Sequence, residues 1–138
     1  MFKKITYLRL TKPTQSPGAE CQIIREKTGI WKFYYSEDEA KRAYERQKLF
    51  HKHGLGPRIF SKIINVLHTN AFDDLIFLWG FKSQKATHVG CISVLQEDKI
   101  IDEARKKTKK RIHDSHPANY GKIKNKWVLI DFGDCTFA

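Results

Sequence analysis

Asp114-Ser115-His116-Pro117-Ala118-Asn119, followed by Asp131-Phe132-Gly133, is the stretch of this chain that decides its fold. The second motif comes directly after Trp127-Val128-Leu129-Ile130, an apolar run that predicts a buried strand ending at Asp131. A turn at Asn125-Lys126 lets this strand pair with Gly121-Lys122-Ile123-Lys124 as a hairpin. The pattern therefore predicts a polar loop, a hairpin and an acidic strand end in close succession.

Three side chains of this stretch carry the oxygen atoms that Mg²⁺ prefers. They are Asp114, Asn119 and Asp131, and carboxylate, amide and water oxygens are typical magnesium ligands. Taken singly, each residue type is more typical of a turn or a cap. Phosphoryl transfer needs a positioned hydroxyl and neutralised phosphate charge, and the combined spacing favours that chemistry.

The rest of the chain predicts five strands and two long helices. The first helix is the clearest, because Ser36 is an N-cap candidate with Glu39 three residues on, and Gly54 ends the pattern. Its core-facing residues are expected at Ala40, Ala43, Tyr44, Leu49 and Phe50, with Glu45 close to that stripe. The predicted strands are 2–10, 20–26, 29–35, 58–66 and 74–79, and the predicted helices are 37–53 and 96–111, with a connector at 80–95.

This order of elements resembles the protein kinase-like superfamily. The match is to its small atypical branch, related to aminoglycoside and choline phosphotransferases and to small bacterial or phage Ser/Thr kinase-like proteins. That branch has a D-x-H-P-x-N loop, which stands here as Asp114, His116, Pro117 and Asn119. The resemblance covers nearly the whole chain.

The resemblance implies an α+β, protein kinase-like fold. Its N-lobe is a five-stranded antiparallel sheet with one helix, and its helical C-lobe is strongly truncated. The chain would be a single minimal kinase-like domain over 1–138, with the N-lobe at about 1–80 and the reduced C-lobe at 81–138. The first three strands are expected to form a meander.

The resemblance also implies catalytic roles. Asp114 would accept the proton of the attacking hydroxyl, and Asn119 and Asp131 would bind Mg²⁺. Lys32 lies inside the aromatic strand and would hold the α- and β-phosphates of ATP, paired with Glu45 on the first helix. The alternative for Lys32 is a snorkelling side chain on an exposed strand face.

The nucleotide is expected between the sheet and the connector. Gly18 lies in a polar loop where a phosphate-covering turn would sit, although the segment taken alone favours a plain loop between strands. Leu78 and Trp79 are expected near the adenine base, and Ile30 and Ile130 are expected to form apolar walls. Trp79 is equally compatible with the core.

Two features depart from the family pattern. The position two residues before Asp114, commonly His in the family, is Ile112. After Gly133 only five residues follow, so the activation segment and the helices of the substrate platform are expected to be absent. A conventional peptide-docking groove is therefore not expected.

Three functional hypotheses follow, the third being a nucleic-acid binder whose kinase-like core is vestigial. The first is an ATP- and Mg²⁺-dependent phosphotransferase, a minimal kinase that moves the γ-phosphate to a hydroxyl, with a Ser/Thr protein kinase as one form of it. The alternative is a nucleotide-binding pseudokinase that acts as a protein interaction module. Peptide, sugar and small-molecule hydroxyls all remain open as acceptors, as does the oligomeric state.

Composition limits the partners. With 26 Lys and Arg against 15 Asp and Glu, the formal charge is +11, which favours an anionic partner such as an acidic protein. Nucleic acid is not favoured, since the densest basic run, 105–111, is typical of a solvated helix face. The three cysteines include no C-x-x-C pair, which argues against a zinc site or a disulfide framework and fits the cytoplasm. No membrane partner is expected.

Overall fold

Two sheets and two helices make up the part of the chain that the computed structural model describes, residues 6–7, 21–69, 72–88 and 90–137. The architecture is α+β. The strands are β1 (Thr6–Tyr7), β2 (Cys21–Arg25), β3 (Ile30–Tyr34), β4 (Ile64–Thr69), β5 (Leu75–Ser83), β6 (Tyr120–Ile123) and β7 (Lys126–Leu129). The helices are α1 (Glu37–Lys52) and α2 (Val94–Thr108), and a short 3-10 helix spans Pro117–Asn119.

The larger sheet has the strand order β1-β4-β5-β3-β2. The strands from β4 to β2 are antiparallel to their neighbours, whereas the two-residue β1 runs parallel to β4. The prediction of a five-stranded antiparallel sheet is therefore wrong, because the antiparallel part has four strands. The predicted meander is also wrong, since β1 lies beside β4 and not beside β2. Alternating apolar residues predict a strand, but they do not specify which sheet edge it joins.

The fourth and fifth strands are displaced from their predicted positions. Residues 58–63 precede β4 and reach β5 through a single bridge between Ile59 and Ser83. The ladder is interrupted where the N–H of Lys82 donates to Ser61 Oγ at 2.8 Å instead of to a backbone carbonyl. β5 continues through Gly80 to Ser83, four residues beyond its predicted end.

Gly80 explains why β5 continues. A Cβ atom at this position would lie 2.2 Å from the backbone oxygen of Lys32. Only glycine allows this close approach of β5 to β3, so the residue that suggested a connector in the sequence instead lies inside the strand.

The prediction of α1 is confirmed, and its ends follow the expected chemistry. Ser36 Oγ accepts a hydrogen bond from the Glu39 N–H at 3.2 Å, and Gly54 follows the helix with φ of 72°. Its buried residues are Ala40, Ala43, Gln47 and Phe50.

The second helix begins and ends earlier than predicted. Ser93 and Gln96 form a reciprocal capping box that starts α2 at Val94, two residues before the predicted start. The helix ends at Thr108, because Lys109 adopts a left-handed conformation with φ of 60°. Ile100, Ala104 and Thr108, spaced four residues apart along α2, are buried and form its core-facing stripe.

The predicted hairpin is present, but its turn lies one residue earlier than the predicted Asn125-Lys126 turn. β6 pairs with β7 in antiparallel register, with Ile123 opposite Lys126. Lys124 and Asn125 form the turn with φ of 49° and 65°, the left-handed values that a tight two-residue hairpin turn requires.

One hydrophobic core joins the sheet to both helices and the hairpin. It contains Tyr34 and Phe81 from the sheet, Phe50 from α1, Ile100 from α2 and Leu129 from β7. A smaller cluster of Phe33, Val66 and Leu78 covers the opposite face of the sheet. The main core therefore fixes the end of β7 against α1 and the sheet.

Neither helix in the described ranges has the length and apolar content needed to cross a membrane.

Candidate functional site

A cavity of about 350 Å³ lies between the sheet and the segment that follows the hairpin, and we call it the main cavity. Its size is within the range of ligand sites. Five residues that the sequence singled out line it: Ile30, Lys32, Asn119, Ile130 and Asp131. The structure thus brings together residues that are almost 100 positions apart in the chain.

Lys32 is held beside the start of the acidic motif. Ile30 and Lys32 alternate with Trp31 and Phe33 along β3, so they point to the face of the sheet that lines the main cavity. Lys32 Nζ donates a hydrogen bond to the backbone oxygen of Ile130, the residue before Asp131. The ammonium group is therefore anchored next to the Asp131 backbone rather than directed to solvent.

Glu45 does not pair with Lys32 in this structure. Glu45 is exposed, and within the described ranges no ion pair joins the two residues. Ala43 and Gln47 mark the buried face of α1. Two residues from Ala43 correspond to a rotation of about 200°, which directs Glu45 away from the core.

Two arginines of α1 instead contact Asp134, the residue that follows Asp131-Phe132-Gly133. Arg42 donates to both carboxylate oxygens of Asp134, at 2.9 and 2.6 Å, and Arg46 donates to the same carboxylate at 2.9 Å. Arg46 also donates to the Phe132 oxygen at 3.1 Å and lies over the Phe137 ring. Sequence reasoning missed this cluster, which joins α1 to the segment around Asp131. The sequence signal for this cluster was a pair of arginines four residues apart, which lie on the same face of a helix.

The pKa of the Asp134 carboxyl is lowered, chiefly by the hydrogen bond from Arg42 and further by Arg46, although partial burial opposes the shift. A lowered folded-state pKa stabilises the fold above the ordinary aspartate pKa, and this stability is lost as the pH falls through the folded-state value. We expect Asp134→Asn to reduce the free energy of unfolding by about 1 kcal/mol at pH 7, with a difference that shrinks towards pH 3. Urea denaturation across this range measures it.

Asp98→Asn is the matched control for this measurement. Asp98 is exposed on α2 and forms no ion pair within the described residues. We expect this control to follow the wild type at each pH. A constant difference between wild type and Asp134→Asn from pH 7 to pH 3 would contradict the role of the charged carboxylate.

The loop of Asp114 is held by the last described residues. The N–H groups of His113 and Asp114 both donate to the Thr136 oxygen, at 2.7 and 3.2 Å. Ile112, at the position where the family commonly has His, is buried and bridges to Phe137. Apolar packing therefore holds the start of this loop.

The Asp114 carboxylate lies outside the lining of the main cavity. Its Oδ1 is 2.8 Å from His116 Nε2, and both side chains are largely exposed. Asn119 Nδ2 donates to the Asp114 backbone oxygen at 3.2 Å, which closes the loop on itself. The backbone of Asp114 is therefore hydrogen-bonded to Asn119, whereas its carboxylate faces solvent.

Asn119 and Asp131 are joined through the backbone. The Ile130 N–H donates to the Asn119 oxygen at 2.8 Å, so the loop and the end of β7 form one unit. Asp131 Oδ1 accepts the Gly133 N–H at 3.0 Å, which orients the carboxylate. Asn119 and Asp131, which carry an amide and a carboxylate group, therefore both line the main cavity.

This donor set fits Mg²⁺ bound together with phosphates. Among the described residues, no group of three or more His, Cys, Asp or Glu side chains has a metal-holding arrangement. Magnesium commonly uses only one or two protein ligands and takes the rest from water and phosphate oxygens. Asn119 and Asp131 supply two such ligands.

The charge of the main cavity is positive. Arg25 and Lys85 line it together with Lys32, and Asp131 is the only carboxylate among its lining residues in the described part of the chain. Sequence reasoning missed Arg25 and Lys85, because neither belongs to a motif. Three cations against one carboxylate favour an anionic ligand.

The remaining predicted nucleotide contacts fall elsewhere. Gly18 lies outside the described residues. Leu78 is fully buried in the smaller cluster on the opposite sheet face, and Trp79 packs against the main core without lining the main cavity. Because β5 extends to Ser83, the connector residues that line the main cavity begin at Gln84 and not near Leu78.

Comparisons of the chain with family models, with curated proteins and with solved structures found no match. The function is therefore inferred from the chemistry of the main cavity.

Proposed function

We propose that this protein is an ATP- and Mg²⁺-dependent phosphotransferase of the protein kinase-like type, which moves the γ-phosphate to a hydroxyl. One observation carries the proposal: Lys32, Asn119 and Asp131 line the same cavity. Their chemistry is a cation for phosphates and two oxygen ligands for magnesium, which are the parts that phosphoryl transfer needs.

In this proposal the phosphates lie between Lys32 and Asp131. Lys32 neutralises phosphate charge from β3, and Arg25 and Lys85 raise the positive potential at the rim. Asn119 and Asp131 would hold Mg²⁺, which would supply positive charge to neutralise the phosphates. The hydrogen bond from Gly133 keeps the Asp131 carboxylate in one orientation for this role.

In this proposal the base of the nucleotide packs against Ile30 and Ile130, two apolar residues that line the main cavity. The neighbouring connector offers backbone donors. The N–H groups of Gln84 and Thr87 donate to Arg58 and Lys122 oxygens, whereas those of Lys85 and Ala86 have no acceptor within the described residues. These two N–H groups are suited to the edge of a purine.

Asp114 is the proposed general base. The acceptor hydroxyl would approach from the exposed side of the loop, where the Asp114 carboxylate accepts its proton. His116 competes for the same carboxylate at 2.8 Å, so a substrate hydroxyl must displace or share this contact.

That contact favours a second candidate function, a nucleotide-binding protein that acts as an interaction module. In this case the main cavity still binds ATP, but the carboxylate of Asp114 stays with His116 and no phosphate is transferred. Both candidate functions include ATP binding, and only the first includes transfer of phosphate to an acceptor.

Nucleotide binding is tested with Lys32→Met. We expect the variant to bind a fluorescent ATP analogue with Mg²⁺ at least about tenfold more weakly than the wild type, because it loses a charge-assisted contact to phosphate. Lys110→Met is the matched control, since Lys110 is exposed and lies outside the main cavity. Equal affinities of the wild type and Lys32→Met would contradict the proposed site.

Transfer is tested by incubating the same proteins with labelled ATP, Mg²⁺ and a panel of peptide, sugar and small alcohol acceptors. Labelled product, or labelled protein, that Asp114→Asn removes supports the phosphotransferase. Binding of ATP without any transfer supports the interaction module, and absence of ATP binding contradicts both.

A further inference from the structure

A second concave surface, separate from the main cavity, lies between α1 and residues 58–62. We call it the α1 groove, a concavity of about 410 Å³. Pro57 lines the main cavity, whereas the residues that follow it line the α1 groove. Four basic side chains line this groove: Lys48, His51, Arg58 and Lys62.

No carboxylate lines the α1 groove, and none of these four side chains forms an ion pair within the described part of the chain. The dense basic run on α2 differs in this respect. There Arg105 and Lys106 both contact Asp102, and Lys107 contacts Glu103. Within the described residues, the cations of the α1 groove therefore lack the ion-pair partners that the α2 run has, which makes this groove the better anion site.

The α1 groove also presents aromatic rings among its cations. Phe60 is 47% exposed, and the Arg58 guanidinium lies 6.0 Å from the centre of its ring. Tyr44 lines the same groove and is half-buried. An exposed ring beside cations is the arrangement on which a base stacks while its phosphates are neutralised.

His51 adds a directional group. Its Nδ1 lies 3.1 Å from the Gly56 oxygen, and because a carbonyl oxygen only accepts, Nδ1 carries the hydrogen in this contact. The other ring nitrogen, Nε2, is then available to a ligand in the groove.

We propose that the α1 groove binds single-stranded nucleic acid, with Lys48, Arg58 and Lys62 on consecutive phosphates and a base stacked on Phe60. An acidic peptide would satisfy the cations but would leave the exposed Phe60 ring without a stacking partner. This site is separate from the main cavity, and the proposal does not depend on phosphotransferase activity.

The test is fluorescence anisotropy with a labelled 12-nucleotide single strand. We expect the combined variant Lys48→Gln, Arg58→Gln and Lys62→Gln to lose affinity on the order of 100-fold at low salt. The plot of log affinity against log salt should become shallower by about 2, because roughly 0.7 counterion is released for each phosphate contact on a single strand. Phe60→Ala alone should weaken binding about 5- to 150-fold, the effect of losing one stacked base.

The matched control removes the same charge elsewhere. Lys106→Gln, Lys110→Gln and Arg111→Gln combine two lysines and one arginine from exposed positions outside the groove. We expect this control, and Lys32→Met in the main cavity, to bind the strand within about twofold of the wild type. Urea denaturation of each variant verifies that it is folded.

Three outcomes would overturn the proposal. An equal loss of affinity in the control triple variant would show general charge attraction. An equal loss in Lys32→Met would place the strand in the main cavity. Displacement of the strand by poly-glutamate at equal charge concentration, with no effect of Phe60→Ala, would identify an acidic protein as the ligand.

Discussion

Phe132→Ala is expected to reduce the free energy of unfolding by about 3–5 kcal/mol, the largest effect on stability that we predict. Phe132 is 1% exposed. Its ring meets Phe50 edge-on at 5.2 Å and lies nearly parallel to Phe137 at 6.3 Å, so truncation leaves a cavity where α1 meets the acidic motif. The same loss loosens the backbone of Asp131. Urea denaturation followed by tryptophan fluorescence measures it.

Phe72→Ala is the control for Phe132→Ala, because Phe72 is 85% exposed. We expect it to change the free energy of unfolding by about 0.5 kcal/mol or less. If Phe132→Ala fails to fold, Phe132→Leu provides a milder truncation with an expected loss of about 1–2 kcal/mol. A loss below 1 kcal/mol in Phe132→Ala would contradict the packing described for this ring.

Asp131→Asn is expected to lower phosphate transfer from ATP by at least about 100-fold while leaving the protein folded. The amide keeps an acceptor oxygen for the Gly133 N–H, which now donates to Asp131 Oδ1 at 3.0 Å. The change removes the only carboxylate that lines the main cavity in the described residues, which is the negative ligand that we propose for Mg²⁺. Labelled ATP and the acceptor panel measure the rate.

The contrast with Phe132→Ala makes this prediction specific. Substitution of Phe132 should reduce the free energy of unfolding, whereas substitution of the neighbouring Asp131 should reduce the rate of phosphate transfer. Asp98→Asn on the exposed face of α2 is the control and should retain the wild-type rate. Unchanged transfer by Asp131→Asn would exclude Asp131 as a magnesium ligand, and a large loss of stability would show that its charge is structural.

Local signals in the sequence were sufficient for α1, the hairpin and the position of Asp131 at the end of a strand. Each depends on neighbours within a few residues, such as Ser36 with Glu39, or the turn at Asn125. The same local logic failed at Gly80, because glycine is typical both of a connector and of a close approach between strands.

Pairings between distant residues could not be derived in the same way. Glu45 was the natural partner for Lys32 by resemblance, yet α1 directs it outward and uses Arg42 and Arg46 on Asp134 instead. The rotation of a helix about its own axis follows from which residues the rest of the core buries, and Gln47 rather than Leu49 took a buried position.

By itself, the sequence determined the α+β class, the helix of α1, the hairpin and the acidic strand end, because short-range hydrogen bonding and periodic burial dictate these features. Only the tertiary structure decided that the antiparallel sheet has four strands, that Lys32 lies against Ile130, and that unpaired cations gather in the α1 groove. The physical reason is that strand order, helix rotation and ion pairing depend on how segments far apart in the chain pack into one core. A pattern of neighbouring residues does not specify that packing.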